Sequence, residues 1–220
     1  MRYRAIAFDL GGVLLDSEGA HEGAARRAAA HFGLTVPLEV WPRIHGGAYE
    51  DFFDQVLSQS ESFGDVVKSM QVALCAYDAY HQEIQHSARL FPGAIELLDL
   101  SREKFDSLAL ATSSEWRLVD SALCHFGLAK YFDGVISGDH VTQKKPASET
   151  FLVAAWLLGV RPNSMVVVED SVHGVRAARL ARAHVIGIAG REESQRLRSA
   201  GAHHVVRDHA GLLAYIKAMN

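Results

Sequence analysis

The chain has 220 residues, 49% hydrophobic, 22% charged and 9% aromatic, the composition of a folded globular protein rather than a disordered, collagen-like or coiled-coil one. Lys and Arg number 22 against 26 Asp and Glu, a net charge of −4, so no global positive field recruits nucleic acid or an anionic membrane. Cys75 and Cys124 are too few for a disulfide framework and lack the CxxC spacing of a zinc or redox site, which fits a reducing cytoplasm.

In chain order, Arg2 and Arg4 lead straight into an apolar run at 3–8, and no apolar stretch approaches the ~18 to 20 residues that span a bilayer, so neither a signal peptide nor a membrane segment is expected. The run ends at Asp9 and the pair Gly11-Gly12, the pattern of a buried strand emptying into a tight loop. Residues 18–32 are Ala-rich and stop at Gly33, which predicts a helix with a glycine C-cap. Helical patterns continue at 48–57 and 63–86, so residues 16–90 are expected to be all-helical.

After Pro92-Gly93 the rhythm changes. Helical patterns at 94–103, 115–126, 148–158 and 172–183 alternate with strand patterns at 107–111, 134–137, 165–168 and 184–188, and a last strand and helix close the chain. Such alternation predicts an α/β fold, a Rossmann-like parallel sheet with helices on both faces. The expected division is a core of residues 1–15 and 91–220 and an inserted helical cap, residues 16–90. An insertion after the first strand lands over the mouth of such a sheet, where ligands bind. The insertion carries 11 acidic and 5 basic groups and the remainder 15 and 17, a balance suited to a small anion with a metal rather than a polyanion.

Four strand ends each deliver a polar residue: Asp9, Thr112, Lys145 in the QKKP loop, and Glu169-Asp170. In a parallel sheet these converge at one edge. A carboxylate, a hydroxyl, an ammonium and an acid pair are the parts of phosphoryl transfer through a covalent aspartyl phosphate. Mg²⁺ takes oxygen ligands and keeps waters, so one or two carboxylates with a carbonyl suffice to hold it.

The segments FDLGGVLLDSE at 8–18, LALATSS at 108–114, SGDHVTQKKPASETF at 137–151 and VVVEDSVHGVRAA at 166–178, in that order, resemble the motifs of the haloacid dehalogenase superfamily, in its helical-cap phosphatase and β-phosphoglucomutase-like group. The resemblance implies Asp9 as nucleophile, Thr112 as phosphate-binding hydroxyl beside Ser113, and Lys145 as the charge-neutralising lysine. It implies Mg²⁺ held by Asp9, the Gly11 carbonyl and Asp170 helped by Glu169. It also places His21, His45 and Tyr49 at the substrate, His21 with ordinary helix surface as the competing reading.

Phosphatases and mutases of that group carry an aspartate two residues after the nucleophile as general acid and base, and here the residue is Gly11. Glycine keeps the carbonyl but not the proton relay, whose loss typically costs ~10² to 10⁴ in rate. The acidic EDS motif disfavours the dehalogenase branch. Lys68, the one cap lysine, lies in a long helical pattern, which disfavours the phosphonate-cleaving branch. Tyr49, where a β-phosphoglucomutase has an arginine, disfavours the mutase. The expected activity is a Mg²⁺-dependent phosphatase acting on a small phosphorylated metabolite, a monomer or weak homodimer. The rivals are a metal- and phosphate-binding relative without turnover and, by fold analogy, a receiver-type phosphoacceptor domain. Trp116 is expected in the core, with a place in the substrate pocket as the competing reading, and His203, His204 and His209 are expected to be structural.

Overall fold

The computed structural model describes residues 3–41, 49–58, 66–191 and 193–219. In chain order the elements are β1 (Ala5–Phe8), β2 (Leu15–Asp16), α1 (Glu18–His31), α2 (Tyr49–Ser58), α3 (Val66–Ser87), β3 (Arg89–Leu90), α4 (Ala94–Lys104) and β4 (Ser107–Ala111). There follow α5 (Trp116–His125), β5 (Gly134–Ile136), α6 (Glu149–Leu157), β6 (Met165–Glu169), α7 (Val172–Leu180), β7 (His184–Ile188), α8 (Ser194–Ala200), β8 (His204–Val206) and α9 (His209–Ala218). The chain divides into two units, Met1–Asp16 with Leu90–Asn220, and Ser17–Arg89. Among the described residues no helix is long and apolar enough to cross a membrane.

The first unit is built on six parallel strands in the order β5-β4-β1-β6-β7-β8, the α/β architecture that the strand–helix alternation predicts. Strand β1 is AIAF and fully buried, and β6, MVVVE, is buried along its whole length. Apolar on both faces, they can lie only in the middle of a sheet covered on both sides. Helix α6 packs Phe151, Ala154 and Ala155 into that core, beside Val175, Ala177 and Ala178 of α7. Each fully buried Val, Leu, Ile or Phe contributes about 1.5–3 kcal/mol of transfer free energy.

From β1 the order runs outward to β4 and β5 on one side and to β6, β7 and β8 on the other. The carboxyl ends of β4, β1 and β6 therefore flank the point where the winding reverses, where folds of this kind open a crevice.

In the second unit, α1 lies against α3 through a face of Ala20, Ala24, Ala25 and Ala28, all fully buried. Small side chains let the two helices approach closely. The exposed Arg27 reaches the buried Glu83 at 2.7 Å, and the Ser87 hydroxyl donates to the same carboxylate at 2.7 Å. Helix α2 contributes Phe52 and Phe53, edge to face at 5.1 Å.

Four details depart from the sequence reading. The stretch 16–90 is not all helical, since β2 and β3 at its two ends pair in a two-stranded sheet. Helix α7 ends at Leu180, three residues short, because the amides of Arg182 and Ala183 turn back to the carbonyls of Arg179 and Ala178 with Arg182 at φ 66°. Helix α8 precedes β8, where no helix was expected; its seven residues are too few to show a helical period. The first strand starts at Ala5, two residues late, since the Arg4 backbone already bonds outward to Ser164 and Asp106.

Candidate active site

Asp9 follows β1 directly, its amide donating to the Val168 carbonyl of β6 at 3.1 Å. Thr112 follows β4, its amide donating to Ile136 of β5 at 2.9 Å. Both are thus seated by the sheet's own ladder at its carboxyl edge. Lys145 comes from the loop before α6, where Lys145–Pro146 is a cis peptide. Its ammonium donates to Asp9 Oδ1 at 2.5 Å, to Glu169 Oε1 at 2.5 Å and to the Ala111 carbonyl at 2.8 Å. All three donor positions of the ammonium are used, and the Phe151 ring lies 4.9 Å from Nζ.

Glu169 is 1% exposed and both its oxygens are engaged. Oε1 takes Lys145, while Oε2 accepts from the Ser171 amide at 3.3 Å and hydroxyl at 3.1 Å. Ser171 also caps α7, its oxygen accepting from the Gly174 amide at 2.9 Å. A Cβ at Gly174 would stand 1.9–2.0 Å from the Glu169 carboxylate, so only glycine leaves room for it. On the β1 loop, Gly12 has φ 72°, and a Cβ there would stand 1.8 Å from Asp170 Oδ2. Asp170 is thereby pressed against a bare backbone.

The remaining walls are backbone and hydroxyl. Thr112 Oγ1 accepts from the Ser114 amide at 3.2 Å and donates to its hydroxyl at 3.3 Å. The Gly138 amide donates to the Ser114 carbonyl at 2.7 Å, and a Cβ at Gly138 would stand 2.3 Å from the Ser113 carbonyl. Ser113, half-buried, is thus fixed between Thr112 and this loop.

Three carboxylates face one ammonium here. Burial pushes the Asp9 carboxyl up to about 6, Lys145 pulling it down and Glu169 pushing it up. Asp170 goes up to about 8, through burial first and then the charges of Glu169 and Asp9. Burial opposes the charge on Lys145, but Asp9 and Glu169 outweigh it and hold the ammonium above its usual range. Asp9 and Asp170 are the carboxyls left without full compensation, which is the donor chemistry of a hard cation. Among the described residues no group of three or more His, Cys, Asp or Glu side chains is arranged to hold a metal. A Mg²⁺ site needs none, since two carboxylates, the Gly11 carbonyl and waters can complete it.

Two of the expected substrate residues belong to the helical unit. His21 and Tyr49 meet within the helical unit: Nδ1 of His21 lies 3.1 Å from the Tyr49 hydroxyl, and its ring stacks on Tyr80 at 4.0 Å. Burial, then Tyr80, Tyr77 and Glu83, holds the Tyr49 phenol far above its usual range. His45 lies outside the described residues. Trp116 is 41% exposed rather than in the core, edge-on to His140. His209 is structural, its Nε2 bonded to the Val13 carbonyl at 2.6 Å and its ring stacked on Phe91. The sequence reading missed the support given by Ser171 and Gly174; the spacing Glu-Asp-Ser-x-x-Gly after a strand was its only trace.

A family model for haloacid dehalogenase-like hydrolases matches residues 6–188. The chain is 31% identical over 182 residues to the fructose-1-phosphate phosphatase YqaB of Escherichia coli, covering 82% of this chain and 93% of YqaB. It is also 31% identical over 184 residues to a phosphorylated carbohydrates phosphatase of Thermotoga maritima, 80% of this chain and 81% of that one. Among solved structures, a HAD family hydrolase from Deinococcus radiodurans with bound phosphate and sodium superposes with a TM-score of 0.77 at 26% identity, over 99% of this chain and 98% of that one.

Proposed function

This chain belongs to the haloacid dehalogenase-like hydrolases and is a phosphoric monoester hydrolase, and we propose that it cleaves a sugar phosphate through an aspartyl phosphate formed on Asp9. The observation that carries the reading is the Lys145 ammonium, 2.5 Å from Asp9 and 2.5 Å from Glu169. It fixes the Asp9 carboxylate at the strand end and keeps it ionised against burial. The sugar class rests on the two carbohydrate phosphatases that the chain resembles.

An Asp9 carboxylate oxygen attacks phosphorus, the ester oxygen departs and takes up a proton, and water then cleaves the acyl phosphate to release phosphate and restore Asp9. The Thr112 hydroxyl, turned from Ser114, and the Ser113 amide supply donors to the transferring oxygens, and Lys145 offsets their charge. Glu169 is a positioning residue, acting through Lys145. Asp9, Asp170 and the Gly11 carbonyl would hold Mg²⁺, which when bound supplies Lewis-acid polarisation of the phosphoryl group. In the helical unit, His21 and Tyr49 are proposed as sugar-facing groups. The enzyme is proposed to be a cytoplasmic monomer or weak homodimer; two free cysteines, one exposed, suit a reducing compartment.

The test is phosphate release from a panel of sugar phosphates with Mg²⁺. Activity is expected to vanish in EDTA and to fall at least ~10³-fold in Asp9→Asn, which keeps size and polarity. Asp170→Ala is expected to raise the Mg²⁺ concentration for half activity roughly tenfold or more. Turnover by folded Asp9→Asn at the parental rate overturns covalent catalysis at Asp9. An EDTA-insensitive rate overturns the metal assignment.

A further inference from the structure

The last fifty residues are unusually basic: residues 171–220 contain eight Lys and Arg against three Asp and Glu, a net of +5 in a chain whose total is −4. Three of these arginines, Arg191, Arg198 and Arg207, line one 260 Å³ pocket together with Ser194, Gln195 and Val205. The pocket lies between α8 and the ends of β7 and β8. It is on the carboxyl edge of the sheet, two strands beyond β6, or about 10 Å at the usual strand spacing.

The walls are fixed. Leu197 is 1% exposed, and a Cβ at Gly187 would touch its side chain at 3.0 Å, so α8 is seated on β7. The Ala189 amide bonds to the Val206 carbonyl at 3.0 Å, and the Ser194 hydroxyl donates to the Gly190 carbonyl at 2.8 Å, holding the turn that presents Arg191. The Gly201 and Ala202 amides close the end of α8 on Arg198 and Leu197.

Of the described carboxylates near these arginines in sequence, Glu193 is taken by Arg196 at 2.9 Å and Asp208 caps α9, its Oδ1 accepting from the Gly211 amide at 2.8 Å. Among the described residues no carboxylate or carbonyl accepts from the side chains of Arg191, Arg198 or Arg207. Like charges held around one concavity repel one another, and a ligand of opposite charge relieves that repulsion.

We infer that this pocket is a second anion site, for a small phosphorylated ligand bearing two or more phosphate groups. Guanidinium forks match phosphate oxygens two at a time, and three positive charges exceed the two negative charges of one phosphate monoester, so a ligand with more than one phosphate group neutralises the set. The volume suits a compact ligand rather than a drug-sized one. The single concavity, in a chain acidic overall, favours a small anion over a nucleic-acid track. The site is independent of the phosphatase reading.

The probe is inorganic pyrophosphate, titrated calorimetrically into the full chain in EDTA, with sulfate as the single-group control. Pyrophosphate is expected to bind at least tenfold more tightly than sulfate. The combined variant Arg191→Gln, Arg198→Gln, Arg207→Gln is expected to weaken it roughly a thousandfold with an unchanged melting curve, since each lost charged hydrogen bond counts for about tenfold or more. The variant's sugar-phosphate turnover with Mg²⁺ is expected to match the parent's. Absent binding, equal binding by parent and variant, or equal affinity for sulfate overturns the site. So does a parallel loss of turnover, which would give these arginines to the catalytic crevice, or same-arginine binding of single-stranded RNA tighter than that of pyrophosphate.

Discussion

Gly11 is the residue on which the proposed chemistry turns. It follows the nucleophile by two positions and brings a carbonyl but no side-chain proton. The left-handed conformation in this loop falls on Gly12, φ 72°, and not on Gly11, so an L side chain meets no φ penalty at Gly11. Gly11→Asp is therefore expected to raise turnover of a sugar phosphate, whose departing alkoxide needs a proton, by ~10². It should leave p-nitrophenyl phosphate, whose leaving group departs unaided, nearly unchanged. Rates on both substrates, for parent and variant, with a melting curve, decide it. Equal effects on the two in a folded variant would mean that proton transfer is not what glycine withholds.

At the scale of elements, the junction of β6 and α7 does two jobs with one set of contacts. Ser171 caps the helix through the Gly174 amide and also braces Glu169, which in turn holds Lys145. A methyl at Gly174 would stand within 2.0 Å of the Glu169 carboxylate. That carboxylate is buried and bonded on both oxygens, so it cannot step aside without releasing Lys145. Gly174→Ala is expected to destabilise by about 1–3 kcal/mol and to lower kcat by ~10² while moving KM little, because the charge partner of the transferring phosphoryl group is displaced. Gly19→Ala is the control: its Cβ would meet only the Ser87 carbonyl at 4.0 Å, and alanine is the better helix former. If Gly174→Ala keeps parental kcat and melting temperature, Glu169 does not depend on that glycine.

Across the whole molecule, the sheet has a second polar edge, opposite the catalytic one, where strands begin. His184 stacks on His203 there with ring centroids 4.5 Å apart, Tyr3 lies tilted against His184 at 4.8 Å, and Arg179 bonds to the His203 ring. His184 Nε2 is buried without a hydrogen-bond partner. Burial first, then the charges of His203, Arg179 and His204, hold its imidazole down to about 4 from 6.5. Burial and Arg179 lower His203 as well. The folded protein thus stays neutral here while the unfolded chain takes up a proton. The stability contribution is complete above pH 6.5 and lost as pH falls toward 4, by about 1–2 kcal/mol once solvent screening is allowed for. His184→Phe keeps the stack and removes the titration, so its melting temperature should fall less than the parent's between pH 7 and pH 5. Parallel curves for the two proteins would show that His184 does not set the acid limit.

The sequence by itself determined the α/β class and the parallel sheet, because runs such as AIAF and VVV are apolar on both faces and alternate with helical patterns. It also determined the family, through four ordered motifs whose polar residues sit at strand ends. Local pattern goes no further than that. Strand order, which sets β1 between β4 and β6, is a matter of packing, and only that order brings Asp9 within 2.5 Å of a lysine 136 positions away. The pairing of Glu169 with Lys145, the bare backbone at Gly12 and Gly174, the seven-residue α8 and the three arginines grouped beside it are likewise tertiary. Each depends on atoms distant in the chain meeting in a buried or concave place, where burial and charge act on groups that the sequence lists without saying what surrounds them.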